Sequence, residues 1–213
     1  FGPRHPGTET PTHEDTPANL ARAIEHKDLD LAIISAPAEG RHLSSRELFH
    51  EPLCLALPAE HPLTRKRTLA LRDLEKQPFI VMKESHCLGG QALQFCQSRG
   101  FSPRVSFRSA QIETIHAFVA AGLGVSLVPA MALRDDGFDG VAYRNLAGRP
   151  TRQIALIQHA SRRLGRAAQA FADFVCAVGG GAGKTRHQKK TTARARSWSC
   201  RSARAHSPAR SGR

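Results

Sequence analysis

VSFRSAQIETIHAFVAAGLGVSLVP, residues 105–129, is a complete strand–helix–strand unit. Val105–Arg108 predicts a short strand. Gln111–Ala121 predicts a helix, because Ile112, Ile115 and Val119 recur at the spacing of one helical face, and Gly122 is placed to end it. Val125–Val128 is apolar throughout and stops at Pro129, as a strand buried on both faces does.

The same alternation continues in both directions. Towards the N-terminus, Phe79–Met82 predicts a strand and Cys87–Arg99 a helix, with Leu88, Ala92, Phe95 and Cys96 at helical spacing and Gly100 closing it. Thr16 and Pro17 read as N-cap and first helical residue of a helix reaching Lys27, and Leu29–Ser35 as a buried strand. Arg46–Leu57 predicts a strand broken at Pro52 and ended by Pro58; Pro62–Leu74 reads as a basic connector with a short helical turn. Towards the C-terminus, strands are expected at Val141–Leu146 and Gln153–Gln158, and a last amphipathic helix at Leu164–Val178. Strands and helices in this order imply an α/β protein with mostly parallel sheets.

Composition narrows the class. The chain has 213 residues, enough for one or two compact units, and its 40% apolar content is ordinary. No apolar run is long enough to span a membrane. Residues 1–15 are polar and show no secretory signal; the opening on Phe1 reads as a segment of a longer protein. The net charge of +13 is uneven: residues 179–213 carry ten Lys and Arg and no Asp or Glu, which leaves +3 for residues 1–178. The basic character therefore belongs to a tail. That tail is poor in large apolar residues and is expected to be disordered. Five cysteines (Cys54, Cys87, Cys96, Cys176 and Cys200) form no metal-binding spacing and no secreted disulfide framework. The run GGGAGKT at 179–185 has Val178 where a phosphate loop needs glycine, and it follows a predicted helix instead of a strand. It reads as a linker.

The stretch that carries chemistry is ESHCLGGQALQFC, residues 84–96. Cys87 falls in the first turn of a predicted helix, where unpaired N–H groups and the helix dipole stabilise a thiolate, and His86 stands beside it. A peroxide-reactive cysteine requires such a setting. The plainer reading makes both cysteines small buried apolar side chains.

His86-Cys87-Leu88 with Gln91-Ala92 and Phe95-Cys96 resembles the sensor segment of the peroxide-sensing, OxyR-like branch of the LysR-type transcription regulators. The motif LDLAI at 29–33, the run LFHEPLCLA at 48–56 followed by His61-Pro62-Leu63, and AAGLGVSLVP at 120–129 resemble LysR regulators generally. The resemblance covers about residues 14 to 178. It implies an α/β fold of two Rossmann-like subdomains with periplasmic-binding-protein (type 2) architecture and a cleft between them. Subdomain I would take residues 1–58 and 152–178, subdomain II residues 59–151, and the basic tail residues 179–213. A first strand of subdomain I would lie ahead of Phe1.

The resemblance also assigns roles. Cys87 becomes the peroxidatic thiol and Cys96 the resolving thiol. Thr16 and His86 join Cys87 in the effector pocket, and Arg152 stabilises the thiolate across the cleft. Gly89-Gly90 departs from the Arg-Asp of the best-known sensors. The chain would be a cytoplasmic, non-enzymatic sensor, needing no cofactor or metal and working in a homodimer or homotetramer. Operator DNA and RNA polymerase would be reached only through an N-terminal winged helix-turn-helix outside this chain. Three other readings stay open: a regulator of the same family that binds a small organic acid, a thiol peroxidase, and a transporter's solute-binding protein.

Overall fold

The computed structural model describes residues 1–38, 40–83, 87–133 and 137–182; of Cys87, Leu88 and residues 180–182 it describes the backbone alone. Helix α1 (Pro17–Glu25) is capped by Thr16, whose Oγ1 accepts the Asn19 N–H at 3.4 Å. Strand β1 (Ala32–Ser35) follows, then the long strand β2 (Leu43–Pro58). Next come β3 (Thr68–Leu69), β4 (Pro78–Met82), helix α2 (Cys87–Gln97), β5 (Arg104–Ser109) and α3 (Ile112–Ala120). The chain then forms β6 (Ser126–Pro129), β7 (Val141–Leu146), β8 (Thr151–His159) and α4 (Arg166–Ala182).

Most strand pairs are antiparallel, contrary to the parallel sheets that the alternation predicts. β2 runs antiparallel to β8, β6 and β7, and β1 antiparallel to β8; β3 with β7 and β4 with β5 are parallel. The cause is that β2 and β8 are both long crossover strands. Between Leu43 and Pro52, β2 pairs with β8; from Leu53 onward it pairs with β6 and β7. Pro52 does not break the strand. It stands opposite Thr151 at the end of the β8 ladder, where β2 changes partners, and the next ladder bond comes from the Leu53 N–H to the Pro150 carbonyl. A residue without an N–H is harmless at such a junction.

β2 and β8 also organise the core. Leu55 and Leu57 pack with Ala92 and Cys96 of α2, whereas Ala56 packs with Ile115 and Val119 of α3. In β8, Ile157 meets α1 through Leu20 and Ile24, and Leu156 meets α4 through Ala172 and Cys176. Leu53–Leu57 of β2 and Ile154–Ile157 of β8 bury both faces under helices, which is why these stretches do not read as alternating patterns, whereas Ser44–Glu47 of β2 are exposed. Two α/β units result, sharing the β2–β8 pair.

Two glycines in α2 have opposite roles. A Cβ on Gly89 would lie 2.2 Å from the Met82 carbonyl oxygen, so the missing side chain lets α2 rest on the end of β4. A Cβ on Gly90 would meet nothing within 4 Å. The pair is therefore not simply a weak point in the helix, as helix propensity alone suggests. α4 runs to Ala182, beyond the predicted end at Val178, and Gly179 is buried against Leu48.

Gly89→Ala is expected to destabilise by about 1–3 kcal/mol, since the clash is with backbone. Gly90→Ala should stabilise by up to about 1 kcal/mol through helix propensity. Urea unfolding of the two variants separates these outcomes. Burial pushes the thiols of Cys54 and Cys96 up from about 9 to about 11, the Glu51 charge adding to the effect at Cys54. The unfolded chain ionises these thiols first, so their contribution is complete below about pH 9 and lost as pH rises towards about 11. The urea midpoint should fall across that window, and less steeply in Cys54→Ala.

Candidate effector cleft

The two units face each other across a cleft of about 380 Å³. One wall comes from the N-terminal end of α1 through Asp15 and Pro17, and from β1 through Ile33, Ile34 and Ser35. The other comes from Met82 at the end of β4, Ile112 at the start of α3, and the Pro129–Ala132 turn; Arg152 of β8 lies between. Helix starts and strand ends converge here because each strand–helix link reverses direction at the edge of its sheet. Open backbone N–H groups and side chains from separate elements therefore meet in one place.

Arg152 is held by Glu51. Its Nε donates to Glu51 Oε2 at 2.5 Å, and the two residues stand opposite each other in the β2–β8 ladder. Glu51 is 4% exposed. Its other oxygen accepts the Met131 N–H at 2.8 Å, and Arg152 Nη2 lies 3.6 Å from the Met131 sulfur. A buried carboxylate needs partners on both oxygens, and here it has them. Sequence reasoning singled out Arg152 and missed Glu51. The available signal was one acidic residue opening the otherwise apolar run EPLCLALP at 51–58.

Helix α2 contains both cysteines of the sensor-like segment. Cys87 is its first residue. Cys96 is 1% exposed and lies in the core with Phe79 and Phe101, away from the cleft. The helix is tied across the cleft by Gln91: Ser35 Oγ donates to its Oε1 at 3.0 Å, and its Nε2 donates to the Ala36 carbonyl at 2.8 Å. Gln91 belongs to the motif that resembles the sensor segment but was given no role there, and Ser35 did not stand out, since amide and hydroxyl side chains carry no pattern by themselves.

Thr16 is half-buried at the start of α1, between the cleft residues Asp15 and Pro17, with its hydroxyl engaged as the helix cap. His86 lies outside the described residues. The Asp15 carboxylate accepts from the Thr16 N–H at 2.6 Å and from Asn19 Nδ2 at 2.7 Å. These bonds, the one from Asn19 foremost, hold its carboxyl below the ordinary range. Among the described residues no cluster of His, Cys, Asp and Glu could hold a metal ion, and no helix is long and apolar enough to cross a membrane.

Comparison with known proteins agrees with this architecture. The family described as the LysR substrate binding domain matches residues 1–179. A hydrogen peroxide-inducible genes activator of Pectobacterium carotovorum is 33% identical over 154 residues, covering 71% of this chain and 51% of that protein. The chain spans about half the length of the curated relatives it matches. The C-terminal domain of a probable LysR family transcriptional regulator from Rhodococcus superposes with a TM-score of 0.72 at 29% identity, covering 82% of this chain and 87% of that one. The regulatory domain of Synechocystis CcmR, solved in complex with 2-PG, superposes with a TM-score of 0.76 at 22% identity, covering 84% and 87%. The two α/β units and their cleft are the two-subdomain, periplasmic-binding-protein-like fold of these proteins, and this chain belongs to the LysR substrate-binding-domain family, the effector-binding part of LysR-type transcription regulators.

Proposed function

We propose that this chain is the hydrogen-peroxide-sensing domain of a LysR-type regulator, with Cys87 as the reacting thiol and Cys96 as its resolving partner. The observation that carries the reading is the placement of the two cysteines in α2: one is the first residue of the helix, the other is sealed in the core of the same helix. The resemblance to peroxide-inducible activators supports it.

The chemistry is a two-electron oxidation. The Cys87 thiolate attacks one peroxide oxygen and the O–O bond breaks. After protonation of the leaving hydroxide, the products are a sulfenic acid and water. Cys96 then attacks the Cys87 sulfur, forming the S–S bond and releasing a second water. The second step requires refolding. Nine residues of helix separate the sulfurs' α-carbons by about 13 Å along the axis, whereas a disulfide needs them within about 7 Å. Cys96 must leave the core, and α2 must open. That opening breaks the Gln91 bonds to Ser35 and Ala36, so oxidation is transmitted to the relation between the two units.

Thr16, His86 and Arg152 complete the proposed pocket. The proposed subdomains are residues 1–58 with 152–178 and residues 59–151, with the basic tail after them; β2 makes the crossing before that boundary, between Pro52 and Pro58, where it pairs with β6 and β7 of the second unit. The whole regulator would be a homodimer or homotetramer, reaching operator DNA and RNA polymerase through an N-terminal winged helix-turn-helix.

Differential thiol labelling of the full-length protein under micromolar hydrogen peroxide tests the reading. Cys87 should be modified first, ahead of Cys54 and Cys176, which are buried, and ahead of Cys200. Equal rates at Cys87 and Cys200 would replace the peroxide reading with that of an organic-acid regulator.

A further inference from the structure

We propose that Glu51 is a built-in counter-anion that determines which effectors the cleft accepts: from behind the cleft it takes up the charge of Arg152 and the Met131 N–H on which a ligand carboxylate would rely, and so favours small uncharged molecules over anions. The inference rests on the reading of the cleft as the effector site and narrows the effector class.

A carboxylate ligand is recognised by a guanidinium edge together with a backbone or side-chain donor. Both are present at Arg152 and the Met131 N–H, and Glu51 already takes the Arg152 Nε–H and the Met131 N–H, at 2.5 Å and 2.8 Å. The arrangement is fixed by register, because Glu51 and Arg152 are direct partners in the β2–β8 ladder, one pair from its end. A ligand anion at the remaining edge of Arg152 would have to share its single positive charge with Glu51, which at 4% exposure depends on that counter-charge. The guanidinium is thus neutralised from behind while one edge still faces the cleft.

The opposite wall adds to the exclusion. Asp15 lines the cleft, and the bonds from Asn19 and Thr16 favour its ionised form. The charged side chains of the described lining are thus one carboxylate and one already-paired guanidinium, which leaves no uncommitted cationic side chain among them for an anion. A neutral molecule meets neither obstacle, and hydrogen peroxide has that chemistry.

Calorimetric titration with benzoate and with succinate tests this on three forms of the protein: wild type, Glu51→Gln and Glu51→Gln/Arg152→Gln. Wild type should show no saturable binding in the millimolar range. Glu51→Gln keeps an acceptor for the Met131 N–H but releases Arg152, and should bind carboxylates at least about tenfold more tightly. The double variant should lose that gain. Should Glu51→Gln fail to fold, Glu51→Asp keeps the charge while withdrawing it from Arg152, and should show the same gain in smaller measure. Saturable carboxylate binding by wild type, or no gain in a folded variant, overturns the proposal. Cys87 oxidation by hydrogen peroxide is followed in the same wild-type preparation. An unreactive Cys87 with carboxylates still excluded would overturn the peroxide reading and leave the role of Glu51 standing. Rapid Cys87 oxidation together with carboxylate binding would do the reverse.

Discussion

The antiparallel ladder between β2 and β8 is the constraint on which the rest of the molecule depends. β2 pairs with β8 as far as Pro52 and with β6 and β7 beyond it, so a single strand belongs to both units. The position of every helix follows from it. α1 and α4 cover the two faces of β8, while α2 and α3 cover the two faces of the second half of β2. The cleft is the space left between the units.

Electrostatics at that junction is tied to backbone register. The ladder sets Glu51 opposite Arg152, and the Met131 N–H caps the remaining carboxylate oxygen. The ion pair therefore joins both crossover strands to the turn that forms one cleft wall. Such a pair adds little net stability over a well-packed apolar pair, yet breaking it leaves a buried charge alone. Its effect is to fix geometry and to keep the cleft's guanidinium neutralised.

α2 combines two structural properties. It is packed firmly, with Ala92 and Cys96 in the core and Gly89 against the Met82 carbonyl. It also holds the opposite wall through the Gln91 side chain. The helix that begins at Cys87 is thus joined both to a packed core and to the facing unit.

The sequence by itself determined the elements and their order, apart from the two-residue β3 inside the segment read as a connector, because apolar periodicity and the Thr16, Gly100 and Gly122 boundaries are local signals whose physics acts within a few residues. It also marked Cys87 and Cys96 as one helix's two thiols, and the family resemblance supplied the two-unit architecture. Strand direction was not legible: a continuous apolar run shows that both faces are buried, and parallel and antiparallel partners satisfy that equally well. Pro52 was misleading for the same reason, since its lack of an N–H breaks a strand only where a ladder bond is required. Only the tertiary structure decided that Gly89 is a contact point and Gly90 is not, and that Arg152 already has a partner. Those properties depend on residues such as Met82 and Glu51 that approach through folding, and no local pattern in the chain encodes the distance between them.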